Sequence, residues 1–431
     1  MRISTSQIFD NGALGIQRNQ QGLFKLQNQL STGRRVLSPS DDPVASAQAL
    51  LVTQSKEINA QHAETQGYAQ SQLGVLDTSL STLTDGLQHI REQAVISLGS
   101  LTDGQRGFIA KDLELWFDQM VSLANSDDGT GQFLYSGYQG NTRPFAIDGS
   151  GAIVPPAIQP PVVYYGDDGE RLLQVGSSRQ MASNISGAEL FMNIRSGNGV
   201  FATAVGGPGG AGGANAGSAL VDAGSVTNPN LWSAAVNAHG SFRVEFSNGG
   251  SGLEYQIYNA ANVAMLAAPQ AYTSNQAIPL QKTTAPAADF GAQIVVTGTP
   301  IAGDSFTVQP STSQSLFKTV QNLIGAIQTP VNATYTATEL QNRVKAEITN
   351  LDRALENLGR IRADVGSRQK ELDFLTSGTK DLELQYATTL SDLQDLDFTK
   401  AISDFTQQQT LLEAAQKSFA QISRLSLFNI L

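Results

Sequence analysis

The chain has three histidines, His62, His89 and His239, scattered without a carboxylate or second histidine at metal-ligand spacing. Two acidic pairs, Asp127-Asp128 and Asp167-Asp168, each stand beside a glycine. Paired carboxylates suit general acid-base work or calcium, but no full calcium-loop pattern follows either pair, and turn formation accounts for both. The glycine tract at residues 206–213 lacks the Lys-Ser or Lys-Thr exit and the preceding strand of a phosphate loop. The absence of cysteine excludes thiolate metal sites, cysteine nucleophiles and disulfides. The residues therefore offer no foothold for catalysis, and neither a catalytic, a cofactor-binding nor a metal-ligating set is expected.

The 431 residues are enough for two or three domains with a substantial core. A formal charge of -11 and a pI near 4.8 argue against nucleic acid and against anionic membrane surfaces, both of which call for a basic patch. No run reaches the roughly 18 apolar residues of a membrane span. The opening MRISTSQIFDNGALG lacks the basic and apolar blocks of a cleaved secretory signal, so ordinary rules read the chain as cytoplasmic.

Both ends carry apolar residues at helical spacing. Ile8, Gly12, Gly15, Asn19, Leu23, Leu26, Leu30 and Gly33 step by threes and fours, and the half from Leu23 onward is properly hydrophobic. Leu393, Leu396, Ile402, Phe405, Leu412, Phe419, Ile422 and Leu425 form a matching stripe with slips near Thr399 and Gln409. Isolated helices are marginal in water, so stability must come from burial, at roughly 1.5–3 kcal/mol per fully buried Leu, Ile or Phe. Residues 1–30 hold four charges (Arg2, Asp10, Arg18, Lys25) and residues 401–431 another four (Asp404, Glu413, Lys417, Arg424), a surface suited to packing against neighbours. Two partners are open: each other, inside one globule, or other molecules.

Glycine and proline punctuate the middle. Residues 121–314 hold 27 of the 41 glycines and 12 of the 15 prolines, so the chain reads as helix, then loop-rich β, then helix. Ser38-Pro39-Ser40-Asp41-Asp42-Pro43 breaks one helix and starts the next, with Asp42 as N-cap and Pro43 at the first helical position. Leu73, Leu76, Leu80, Leu83, Leu87, Ile90 and Ala94 keep three-four spacing up to Gly99, and Asp103 is a candidate cap for a further helix ending at Asn125–Gly129. Strands are expected at 132–135, 161–165, 172–175, 242–246, 253–258, 293–298 and 304–308. Val205 to Gly217 reads as a surface loop, with Gly137 and Pro144 as turn formers. Helix resumes at Thr336, where Thr336 and Glu339 form a capping-box pattern, and the seam runs from Leu351 to Tyr386.

At this point the sequence resembles the flagellin superfamily, and within it the hook-associated junction proteins more than the filament flagellins. The resemblance rests on MRISTSQIF, LSTGRRVLSPSDDPVASAQAL (Leu30 to Leu50), GQFLYSGYQGNTRPF (Gly131 to Phe145), VYYGDDGERLLQVG (Val163 to Gly176), NISGAELF (Asn184 to Phe191) and SDLQDLDFTKAISDFTQQQTLLEAAQKSF (Ser391 to Phe419). Filament flagellins usually open with an asparagine-threonine-asparagine turn, absent here, and continue DDAAGLAIA where this chain has DDPVASAQA. Residues 196–310 match nothing so specifically, apart from TGTPIAGDSFTV (Thr297 to Val308).

The resemblance implies an α+β multidomain chain: an elongated helical rod built from both termini, terminal coiled-coil helices, and an inserted β-rich outer domain. The implied division is 1–40 plus 395–431 for terminal assembly, 41–195 plus 315–394 for the rod with its β-hairpin elements, and 196–314 for the outer domain. It implies a structural adaptor between flagellar hook and filament, exported by the flagellar type III apparatus without a cleaved signal, which reverses the localisation to extracellular. The implied partners are further copies in a layer, hook-associated protein 1, flagellin, and a cytoplasmic export chaperone over Leu412 to Leu425. Leu23, Leu26, Leu30, Leu412, Phe419 and Ile422 are the expected assembly residues. Arg34, Arg35, Asp41 and Asp42 fit either a charged contact between subunits or local capping with solvated arginines, and Asp395 and Asp397 fit capping or hinge duty. A filament flagellin, or a scaffold displaying a glycan-binding or hydrolytic outer domain, are the alternatives.

Overall fold

A computed structural model describes residues 5–148, 161–206, 215–250, 252–332 and 335–428, together with most of their side chains. Seven α-helices are described: α1 (Thr5–Thr32), α2 (Pro43–Ser97), α3 (Asp103–Ala124), α4 (Pro229–His239), α5 (Leu316–Gln328), α6 (Ala337–Gln394) and α7 (Phe398–Phe428). The fold class is α+β, with long helices from both termini enclosing a β-rich middle. The chain divides into two compact units, one of residues 1–67, 175–177 and 373–431, the other of 68–174 and 178–372.

The larger unit holds the core. Every member of the Leu73-to-Ala94 seam is at most 3% exposed, as the three-four spacing requires of one face turned inward. Leu113 and Phe117 of α3, Phe317 and Leu323 of α5, and Leu351, Leu358, Ile361 and Val365 of α6 are equally buried. Phe145, Phe191 and Phe317 meet at centroid distances of 5.1–5.4 Å, in edge, tilted and stacked arrangements that aromatic quadrupoles favour. Tyr135 is fully buried and donates from its hydroxyl to Ser79 Oγ (2.8 Å).

Helix starts differ from the expected ones in two places. The α3 cap is Thr102, which exchanges bonds with Gln105 in a full capping box, while Asp103 lies inside the helix and pairs with Arg106. At α6 only half of the expected box forms. Thr336 Oγ1 accepts the Glu339 N–H (3.1 Å), but the Glu339 carboxylate reaches forward to Arg343 (2.8 Å), a cation one turn away being a stronger partner than a backbone N–H.

The β-rich segment forms a five-stranded antiparallel sheet in the order Gln270–Ala271, Gly252–Asn259, Phe242–Gly249, Ser305–Pro310, Phe201–Val205. A second sheet orders Ala277–Lys282, Ala288–Thr297 and Leu220–Val221, with Ser225–Val226 also pairing the central strand. Phe242, Val244 and Phe246 alternate inward while Arg243 and Glu245 face out and pair at 3.2 Å. Phe290 stacks on Phe242 at 4.8 Å, and Trp232 of α4 covers Phe201 at 5.0 Å. The expected strands at 161–165, 172–175, 242–246, 253–258, 293–298 and 304–308 are present with shifted ends; 132–135 is a turn carrying one bridge, Asp127 to Phe133. Most of the glycine tract, residues 207–214, lies outside the described residues.

Candidate functional site: the terminal helix pair

The acidic pairs act as turn residues. Asp127 Oδ1 and Asp128 Oδ1 accept the N–H of Gly129 and Thr130, and Asp167 Oδ1 accepts those of Gly169 and Tyr138, all at 2.8–2.9 Å. Gly137, at φ +69°, approaches Asp167 so closely that no Cβ fits there. His89 Nε2 meets Asp112 at 2.7 Å, a partner that sequence spacing did not reveal because it comes from α3. Among the described residues, no three His, Cys, Asp or Glu side chains gather at a metal-binding distance.

The smaller unit is built differently. Helices α1 and α7 pack antiparallel: Phe419 lies over Gly12, Gln408 over Asn19 and Gly22, and Phe398 beside Gly33, numbers rising on one helix as they fall on the other. Small residues on α1 allow that close approach. Leu23, Leu26, Leu30, Leu412 and Phe419 all face this seam region and are half-buried; the Ile422 side chain lies outside the described residues. Leu14, Phe24, Phe398, Ile402 and Leu411 are 48–67% exposed. Among the described side chains of the two helices only Gln29 and Ala401 are fully buried. A two-helix pair has one seam and no interior, so the remaining apolar faces meet solvent.

The turn between α1 and α2 is tied to the segment before α7. Gly33 adopts φ +69° and its carbonyl accepts the Leu396 N–H (2.9 Å), while the Arg35 N–H donates to the Gln394 carbonyl (2.7 Å) and Arg34 bridges Asp395 through the backbone. Arg35 Nη2 donates to the Leu393 carbonyl (2.8 Å) and Nη1 to Asp42 Oδ2 (3.2 Å). Asp42 Oδ1 also caps α2 by accepting the Ala45 N–H (3.0 Å), so the carboxyl sits below its usual range, held first by that N–H and then by Arg35. Asp41 accepts from Lys25 Nζ (2.7 Å) and from the N–H groups of Ser38 and Leu37, which bring its pKa down to about 2. Asp397 caps α7 through the Lys400 N–H (3.1 Å). The Arg34 side chain is exposed.

Further along the same unit, Val44, Leu50, Leu51 and Ile58 of α2 and Phe374 and Leu384 of α6 are exposed, from 47% to 79%. Asn59 donates to the Thr379 carbonyl (2.8 Å), and Gln66 Nε2 to Thr379 Oγ1 and the Val175 carbonyl, a buried polar tie between the helices and the end of strand Leu172–Gly176.

Comparison with known proteins agrees with this architecture. Residues 3–140 match the bacterial flagellin N-terminal helical region and residues 348–431 the bacterial flagellin C-terminal helical region, together just over half of the chain. The whole chain aligns at 26% identity with flagellar hook-associated protein 3 of Salmonella typhimurium, and at 26% with the Escherichia coli protein of the same name, covering 99% of each. Among solved structures, the flagellar junction protein FlgL from Legionella pneumophila superposes with a TM-score of 0.68 at 26% identity, over 81% of this chain and 100% of that one. FlgL of Xanthomonas campestris shares the fold, with a TM-score of 0.65 at 24% identity over 79% and 99% of the two chains. With its terminal helical regions matched at both ends and relatives of its own length aligned throughout, the chain belongs to the flagellin superfamily.

Proposed function

We propose that this chain is a structural adaptor of the bacterial flagellum that joins hook to filament and templates flagellin polymerisation. One observation carries the physical side of the reading: α1 and α7 form a pair with no interior, leaving Phe24, Ile402 and Leu411 in water. Burying such faces against neighbouring helices supplies roughly 1.5–3 kcal/mol per side chain, which is the currency of assembly. The relatives aligned from end to end carry the hook-associated name, which favours this reading over a filament flagellin or a scaffold for an enzymatic outer domain.

In this reading Leu23, Leu26, Leu30, Leu412, Phe419 and Ile422 define the assembly helices, residues 1–40 and 395–431 form the terminal layer, 41–195 and 315–394 a rod, and 196–314 an outer domain. Identical copies in head-to-tail contact generate a ring or helical layer that accepts unlike neighbours on its two sides, here hook-associated protein 1 and flagellin. The chain leaves the cell through the flagellar type III apparatus, with a cytoplasmic chaperone over Leu412 to Leu425 until then. The test is a deletion strain: completed hooks with flagellin secreted unassembled is the expected phenotype, restored by the full chain, whereas normal filaments without it overturn the reading.

A further inference from the structure

A cavity of about 690 Å³ lies within the larger unit, between α6 and the strands Phe201–Val205 and Leu220–Val221. That volume is of the size that holds small molecules. The small side chains of Ala202, Ala204 and Ala346 leave it open, and the Glu347 carboxylate stands in its wall. Three amides donate to that carboxylate. Asn350 of α6 reaches Oε2 at 2.9 Å, Asn322 of α5 reaches Oε1 at 3.1 Å, and Gln314, on the strand that precedes α5, reaches Oε2 at 3.5 Å. Oε2 thus accepts twice and Oε1 once, which leaves one acceptor position open on Oε1.

The amides cannot turn round. Asn350 Oδ1 accepts the Gly197 N–H (2.8 Å), which obliges its NH2 group to face Glu347, and Gln314 Nε2 also donates to Thr319 Oγ1 (2.9 Å). Among the described residues no donor reaches Gln314 Oε1 or Asn322 Oδ1, two further acceptors on residues that line the cavity. The three donors favour the ionised carboxylate, yet among the described residues no cation forms an ion pair with it. Lys318 of α5 acts on it through space, Arg343 is engaged by Glu339 (2.8 Å), and Lys345 is exposed. Asp222, a second carboxylate in the lining, accepts the Gly224 and Val295 N–H groups (3.0 and 2.8 Å) and adds to the negative charge. Glu347 is half-buried, and the loss of water around it lifts its carboxyl up to about 7, so at pH 8 it is mostly ionised.

We propose that this cavity binds a small primary alkylammonium, with its three N–H donors shared among Glu347 Oε1, Asn322 Oδ1 and Gln314 Oε1 and its alkyl body against Ala202, Ala204 and Ala346. An ammonium carries three donors and no acceptor, the complement of three open acceptors of which one is charged. A metal ion fits less well, since it asks for several oxygen ligands and the Asn350 oxygen is already taken by Gly197.

The test is a titration of the full chain with butylammonium chloride at pH 8 and constant ionic strength, followed through the side-chain NH2 resonances of Gln314, Asn322 and Asn350. Saturable shifts at all three are expected, with an affinity of roughly millimolar for a ligand of so few atoms. Butanol, which lacks the charge, and tetramethylammonium, which lacks the N–H donors, should bind at least about tenfold more weakly, the worth of one hydrogen bond to a charged group. Glu347→Gln should weaken butylammonium by a similar factor. Ala204→Leu, which fills the space and leaves Glu347 and its amides in place, should abolish the shifts while the three resonances stay where they are in the free chain. Absence of saturable shifts, equal binding of butanol, or undiminished binding in either variant overturns the proposal.

Discussion

Phe419 lies across the backbone of Gly12, so closely that a Cβ on Gly12 would stand 2.7 Å from the ring carbon Cδ2. That spacing fixes the register of α7 on α1, since the ring has a seat only where the facing residue lacks a side chain. Gly12→Val is expected to push the helices apart and cost the pair about 1–3 kcal/mol, the usual penalty of overpacking, against a modest gain from removing a helical glycine. Adding Phe419→Ala should recover part of the loss. A double-mutant cycle on the helical content of the full chain measures the coupling, and strict additivity would show that the contact does not form.

The Asp41 carboxyl titrates low because Lys25 and two backbone N–H groups bind its charged form. Its pKa is depressed in the folded chain, so its contribution to holding the α1–α2 turn is complete above about 3.8 and disappears as pH falls through about 2. Carbon-detected titration should place the midpoint near 2. Lys25→Met should raise it without restoring the ordinary value, because the Ser38 and Leu37 N–H groups stay in place. A midpoint unchanged in Lys25→Met would assign the shift to the backbone alone.

Tyr135 and Ser79 satisfy each other in the dry core, and burial raises the phenol pKa far above its ordinary value. Ser79→Ala leaves the phenol hydroxyl without its partner and should cost about 1–3 kcal/mol; Tyr135→Phe leaves the smaller serine hydroxyl and should cost about 1 kcal/mol. Making both changes should cost less than their sum. Urea denaturation at pH 7, with the slope checked for constancy, gives the three values, and a sum that is simply additive would refute the coupling.

How far the fold could be read from the residues depends on whether a signal was local and periodic. The seam from Leu73 to Ala94 was legible because one buried face imposes one period, and the alternation Phe242-Arg243-Val244-Glu245-Phe246 was legible for the same reason. Helix α5 was missed although Ser315 caps it and Phe317, Val320, Ile324 and Ile327 step by threes and fours; the boundary of the β-rich stretch at 314 stands, but helix was expected to resume only at Thr336. Helix α4 was missed despite the Asn228 cap and Pro229 at its first position, being short and set among turn residues. Strands of two residues such as Gln270–Ala271 carry no period at all and exist through their neighbours. The terminal stripes posed a different difficulty, since the same apolar residues that mark a seam cannot say on which molecule the other half lies.

Phe24 and Leu26 separate the two halves of that terminal problem. Leu26 is half-buried on the seam side of α1, and Phe24 is 67% exposed. An aspartate at position 26 places a charge in the α1–α7 seam and should lower both helical content and assembly. An aspartate at position 24 meets only water in the single molecule, so Phe24→Asp should leave circular dichroism and thermal unfolding within about 0.5 kcal/mol of the parent. On the proposed function the same position is covered in an assembled layer, where an unpaired buried charge would cost several kcal/mol per copy, multiplied around the layer. Export assays in a strain lacking the native chain should therefore find the Phe24→Asp protein in the medium, folded and unincorporated, with hooks bare of filament. Filaments growing normally from hooks that carry Phe24→Asp would mean that the exposed face of α1 stays in water after assembly, and that the stickiness of the chain ends lies on another face.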